Sequence, residues 1–441
     1  MRGLRFTLYI LTAAILAVGL GGSAYAFHDG GVATCTRCHS MHSAPATAVH
    51  LTVGSDQSST CLSCHERAGY TGPNGYHIST PASELTLLTQ YPKQMTPGGD
   101  FGWIRQNFLG VSTGHGTLDN LGRTRGHNIQ AIDNGYTELD GTAPGGGASA
   151  MSSADLACTS CHDPHSRARR IDDGNDSIVY PPATGTYAPI AESGSYGAVP
   201  PAGEAVGVYR LLGGANYNNP TNPGPFPGNP AAVVPSSYNK KETNGTTDQV
   251  RVAYGHGTTN GYATWAEWCA NCHPGMHTTS APNPVHPVED ILDLQAAIYN
   301  KYVKTGDLTG TSADSFNSLV PFALNTTTTA TLTTASGTLT GPTSSDRVLC
   351  LSCHRAHASA WQYALRWNNA AEFMTLEDGG VSVYPGVDIA NSADPNAIFG
   401  DEGSINTGYT VEQMTAAYYD RPATVFAPNQ RALCNKCHNK D

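Results

Sequence analysis

The chain has little charge. Only 13% of its 441 residues are Asp, Glu, Lys or Arg, and the balance is acidic, with 24 Lys+Arg against 35 Asp+Glu. No basic run exists to meet a nucleic acid or an anionic membrane, so both classes of partner are excluded. Long apolar runs are missing beyond the first twenty residues, which excludes a later membrane span. No cysteine stands alone. Regular elements are disfavoured too, since 48 Gly and 28 Pro punctuate the chain. A chain of this composition cannot bury an adequate core unless it packs on something else.

The amino terminus reads as an export signal. Arg2 and Arg5 form a basic start, Leu8 to Leu20 an apolar stretch, and Ala24-Tyr25-Ala26 a small-x-small cleavage site. The apolar stretch is short for a membrane anchor, and no cysteine marks the cut for lipidation. Cleavage after Ala26 leaves 415 residues, Phe27 to Asp441, and moves the formal net charge from −11 to −13. The expected localisation is secreted, in the extracellular space or at the cell surface.

Every one of the 12 cysteines belongs to a C-x-x-C pair, and every pair is followed by His. The pairs are Cys35/Cys38, Cys61/Cys64, Cys158/Cys161, Cys269/Cys272, Cys350/Cys353 and Cys434/Cys437. The adjacent histidines are His39, His65, His162, His273, His354 and His438. Structural disulfides and zinc sites do not require that His, and a thioredoxin-like motif normally occurs once. C-x-x-C-H is the attachment site of c-type haem: the two thiols add to the vinyl groups and the His ligates the iron. Six motifs imply six covalently bound haems, one for about 69 mature residues. Six rigid apolar plates supply the missing core. The expected fold is a multihaem c-type cytochrome, a single domain over residues 27–441 with irregular loops and short helices wrapped on the haems and little sheet.

Eleven further histidines remain as distal ligands: His28, His42, His50, His77, His115, His127, His165, His256, His277, His286 and His357. Six of them would make every iron bis-histidine. That state has no open position and favours electron transfer at low potential over catalysis. His42, His165 and His357 follow a proximal His by three residues, and His277 by four. On a continuing helix these positions lie on the same side as the proximal His, so each would serve a different haem packed close by. His77, His127 and His286 read as loop-borne distal ligands, with His28 and His277 as further candidates. His50, His115 and His256 read as surface residues. The residues alone leave open which six are ligands.

The motif starts are separated by 26, 97, 111, 81 and 84 residues, with no linker dividing two cores. Periodicity predicts a helix over 288–304 with Ile291, Leu294, Ile298 and Tyr302 on one face. T-V-E-Q at Thr410 predicts a capped helix start. A third helix is predicted to carry the motif at Cys350 and run on to Phe373. Thr326 to Thr340 reads as a hairpin or a solvated loop. Cys35 and His438 place a haem motif near each mature terminus, and termini lie at surfaces. A row in chain order would begin and end at exposed edges, so one copy could pass electrons to the next in a non-closing, head-to-tail filament.

Several stretches resemble a known family. They are F-H-D-G-G-V-A-T-C-T-R-C-H-S-M-H, G-Y-H-I-S-T, Q-M-T-P-G-G-D-F-G-W, R-G-H-N-I, C-H-D-P-H, W-C-A-N-C-H, C-L-S-C-H-R-A-H-A-S, M-T-A-A-Y-Y and Q-R-A-L-C-N-K-C-H. Together they resemble the hexahaem outer-surface cytochrome S family of metal-reducing bacteria, which forms extracellular cytochrome nanowires. The resemblance spans the mature chain. It implies bis-His haems in a continuous chain of alternating stacked and T-shaped pairs, in an electron-transfer protein and not an enzyme. It implies that His42 ligates a haem of the adjacent subunit, the fifth, bound by Cys350, Cys353 and His354. It supports His28, His77, His127, His165, His277, His286 and His357 as ligands, but not His50, His115 or His256. The partners it implies are the chain itself, external acceptors such as metal oxides or partner cells, and other outer-surface cytochromes. A soluble monomeric shuttle and a multihaem reductase with an open haem are the rival readings.

Overall fold

A computed structural model describes residues 35–42, 44–46, 51–66, 77–85, 90–113, 116–146, 150–164, 171–172, 178–179, 212–214, 217, 224–233, 251–258, 262–277, 288–369, 372–384 and 409–438. Regular elements there are short. The helices are α1 Cys35–Cys38, α2 Gln57–His65, α3 Gly102–Arg105, α4 Trp265–Ala270, α5 Pro274–His277, α6 Leu294–Lys301, α7 Thr329–Ser336, α8 Cys350–Cys353, α9 Val411–Ala417 and α10 Asn435–His438. The sheets are two- or three-stranded. Strands Ala232–Val233, Ala253–Gly255 and Ala323–Leu324 form one, with Tyr254 opposite Ala232 on one side and Ala323 on the other. Among the described residues no helix is long and apolar enough to cross a membrane.

Loops on this scale leave many backbone carbonyls without a ladder partner, and buried arginines supply donors. The guanidinium, with five N–H groups, is almost never fully buried unless its donors are met. Arg366 is buried and donates from Nε to Leu351 O (2.7 Å) and from Nη1 to Ser318 O (3.0 Å). Arg125 donates to Gln106 O at 2.9 Å. Arg355 donates to Pro97 O at 3.2 Å while its guanidinium lies 3.6 Å over the Tyr419 ring. Side chains here do the joining that strands do in a sheet protein.

Three predicted elements differ from the structure. The helix read as 288–304 is confined to α6, because Glu289 (φ 75°) and Asp293 (φ 41°) are left-handed. The segment before α6 pairs instead with the strand-like stretch around Arg347, through Glu289 N–H to Val348 O and Leu292 N–H to Asp346 O, both 2.7 Å. Its buried face is then Leu292, Ala296, Tyr299 and Tyr302, while Ile291 and Leu294 are exposed. The helix expected to run from Cys350 to Phe373 stops at His354, which is extended (φ −105°, ψ 157°). Left-handed Tyr363 and Ala364 turn the chain back, and Arg366 N–H reaches Cys353 O at 2.8 Å. The Thr-rich segment is neither hairpin nor loop but helix α7. Thr333 and Thr334 return their hydroxyls to the carbonyls of Thr329 and Ala330 (2.8 and 3.1 Å), which removes their competition with the helix. Leu332, 1% exposed, anchors it. The cap at Thr410 is as predicted: Thr410 Oγ1 accepts from Gln413 N–H (3.2 Å) and Gln413 Oε1 accepts from Thr410 N–H (3.0 Å).

Candidate haem-binding row

Cysteines of successive motifs lie beside one another. Cys38 neighbours Cys64. The thiols of Cys61 and Cys158 are in hydrogen-bonding contact. Cys161 neighbours Cys272, and that proximity together with burial, the larger cause, pushes the Cys161 thiol up to about 12. Cys269 and Cys350 are again in hydrogen-bonding contact. Cys353 neighbours Cys434 and Cys437. The six motifs therefore stand in a file in chain order. Through the first four junctions the nearest cysteines alternate, second with second and then first with first, so successive junctions differ in kind.

Each motif starts in a helical turn, and most leave it at once. His65 ends α2 and His438 ends α10. His39, His162 and His354 lie in extended backbone, bridged to Thr52, Leu212 and Leu365. This corrects the premise that a His three residues on shares a helical side with the proximal His, because the helix has ended before His42 and His357. His277 does lie on a helix, α5. His28, His50, His115, His165 and His286 lie outside the described residues. His256 sits just past the strand Ala253–Gly255, half-buried, its N–H held by Leu324 O and Thr326 O, rather than in a surface loop. His42 is exposed beside Met41, which is 79% exposed. His77 precedes Ile78, whose N–H bonds the carbonyl of proximal His65 at 3.0 Å.

Two pairs of imidazoles face each other. His127 and His273 have ring centroids 6.0 Å apart, and His162 and His357 6.3 Å apart. A metal–imidazole bond of about 2 Å on each side plus half a ring at either end spans roughly 6 Å, so the spacing of each pair fits one metal ion that both rings would hold. The ring nitrogens agree. His127 Nδ1 meets Ala356 O at 2.6 Å, His273 Nδ1 meets Pro144 O at 2.8 Å, and His354 Nδ1 meets Tyr363 O at 2.7 Å. A carbonyl only accepts, so Nδ1 carries the proton and Nε2 keeps the lone pair that a metal needs. Burial, reinforced by His162 and His127, pushes His357 down to about 3 and so keeps it in the neutral, ligating form.

The distal pair is held by glycines. Gly99 and Gly126 bridge Ala358 from opposite sides, His357 N–H reaches Gly98 O at 2.7 Å, and His127 N–H reaches His357 O at 2.9 Å. A Cβ on Gly98 would stand 2.6 Å from His357 Nδ1, one on Gly126 2.4 Å from His357 O, and one on Gly99 (φ +92°) 1.7 Å from Ala358 O. Phe101 stacks on the His357 ring at 4.8 Å. The glycines and Phe101 were not legible as site residues. Their only sequence signal is that Q-M-T-P-G-G-D-F-G-W, R-G-H-N-I and C-H-R-A-H-A-S, far apart in the chain, meet here.

The donor set fits haem. Each motif sets two thiols and an imidazole within five residues, and two further imidazoles lie 6.0 and 6.3 Å from proximal ones. When bound, haem supplies the one-electron chemistry. The cysteine thiols and histidine imidazoles would hold it, and the surrounding loops would shield it from water.

A file of C-x-x-C-H motifs enclosed by loops and short helices, with facing imidazoles across the gaps, defines a multihaem c-type cytochrome. No family model matches the chain. It is, however, 43% identical over 472 aligned residues, covering all of both chains, to the C-type cytochrome OmcS of Geobacter sulfurreducens, and it belongs to that family. Two solved structures are similar over 94% of this chain and 100% of theirs, at 42% identity. One is the cryo-EM structure of OmcS nanowires from Geobacter sulfurreducens (TM-score 0.77), the other the Outer Membrane Cytochrome S filament of the same organism (TM-score 0.76).

Proposed function

We propose that the chain binds six covalent c-type haems, each with two axial histidines, and that it conducts electrons along a head-to-tail polymer of itself to external acceptors such as metal oxides or partner cells, with other outer-surface cytochromes as donors or recipients. The protein is an electron carrier of an extracellular cytochrome filament. The observation that carries the reading is the file of six motifs, each beside the next in chain order.

His127 is assigned to the iron of His273, and His357 to that of His162, on their facing rings. His42, exposed at the first motif, is assigned to the fifth haem of the adjacent subunit. His77, His165 and His286 are the remaining distal ligands, with His28 and His277 as further candidates. The alternating cysteine contacts support two alternating haem-pair geometries. Cleavage after Ala26 would leave 415 of 441 residues as a single domain.

A filament map of secreted material, resolving both axial ligands at each iron, tests the assignment. Filaments with six low-spin haems per subunit are expected. Secreted material that is only monomeric, or a substantial high-spin, CO-binding haem, would overturn it.

A further inference from the structure

Lys436 is the third residue of the sixth motif, C-N-K-C-H. Four other motifs carry a neutral residue there: Ser63, Ser160, Asn271 and Ser352. The first carries Arg37, which is exposed. Lys436 is 3% exposed. Its Nζ donates to Tyr299 O (3.1 Å) and Tyr302 O (2.9 Å) and lies 4.1 Å over the Tyr299 ring. Those carbonyls close the C-terminal end of α6, where the helix dipole is negative, and a ring face attracts cations. The pocket is thus complementary to an ammonium on every side described. A glutamine amide would suffice to tie α10 to α6, and burying a charge costs more than burying an amide.

We infer that Lys436 sets the potential of the haem on Cys434 and Cys437. A positive charge inside the protein, screened less than one in water, stabilises the haem after it gains an electron and so raises its reduction potential. The sixth haem then holds an electron more firmly than a neutral motif would allow, at the last step before the next subunit. This rests on the haem-binding reading of the sixth motif.

The test is a redox titration of the haem-loaded full chain with Lys436→Gln and Lys436→Arg, thermal unfolding in parallel, and mass measurement of the haem-bearing peptide around Cys434. Lys436→Gln is expected to lower one component of the titration by about tenfold in its reduction equilibrium, which is about 59 mV for one electron. Lys436→Arg should leave every component in place. Six unchanged potentials in Lys436→Gln, with or without a fall in thermal stability, assign Lys436 to packing and overturn the inference. So does a failure of both Lys436→Gln and Lys436→Met to mature while Lys436→Arg matures. A wild-type peptide without haem would instead defeat the six-haem reading itself.

Discussion

The amide of His127 donates to the carbonyl of His357 across 2.9 Å, while the two rings turn to different proximal partners, His273 and His162. One backbone hydrogen bond therefore joins the two imidazoles that lie against the third and fourth motifs, which are neighbours in the file, and holds these two sites in fixed relation.

Gly126→Ala places a methyl group against His357 O and Ala358. The neighbouring chain must move, and overpacking of this kind costs on the order of 1–3 kcal/mol. Low-temperature electron spin resonance of the haem-loaded variant is expected to show two low-spin components altered together. A change in only one would break the proposed coupling.

His42→Ala removes an exposed side chain that makes no part of the buried core. Haem attachment at all six motifs is expected to remain, as heme-stained gels and mass spectrometry would show, while electron microscopy finds monomers in place of filaments. Normal filaments from this variant would count against His42 as the joint between subunits.

Asp100 is buried and accepts four hydrogen bonds, from Thr80 N–H (2.8 Å), Thr80 Oγ1 (2.5 Å), Gln94 N–H (2.9 Å) and Gly102 N–H (2.7 Å). It fixes the loop that carries Gly98, Gly99 and Phe101 to His357. Asp100→Asn turns an N–H against these donors. A loss of about 1.5–3 kcal/mol, the worth of a hydrogen bond to a charged group, is expected in denaturant unfolding, together with a disturbed third haem. An unchanged spectrum would separate Asp100 from the distal site.

Thr410→Ala removes one half of the reciprocal cap on α9. A loss of about 1 kcal/mol is expected from thermal unfolding, with the haem spectrum unchanged, because α9 carries no haem ligand.

The haem-binding residues were legible because their chemistry is local. Attachment needs two thiols and a histidine within five consecutive residues, so all six motifs can be read without a fold. The capping box at Thr410 is equally local. The helices at 288–304 and beyond Cys353 were misjudged because bridging segments at Arg347 and Leu365 compete for the same backbone groups. Leu332, through its burial, drew a Thr-rich stretch into a helix that its propensities do not predict.

By itself, the sequence determined the class of protein, its covalent haem and the poverty of regular structure. Each of these depends on residues a few positions apart or on composition. Only the tertiary structure decided which imidazole faces which. His357 lies three residues from His354 yet faces His162, and His127 faces His273 across 146 residues of chain. Each pair is a contact between loops whose paths are set by glycines, buried guanidinium groups and carbonyls far apart in the chain. No local pattern encodes such a contact.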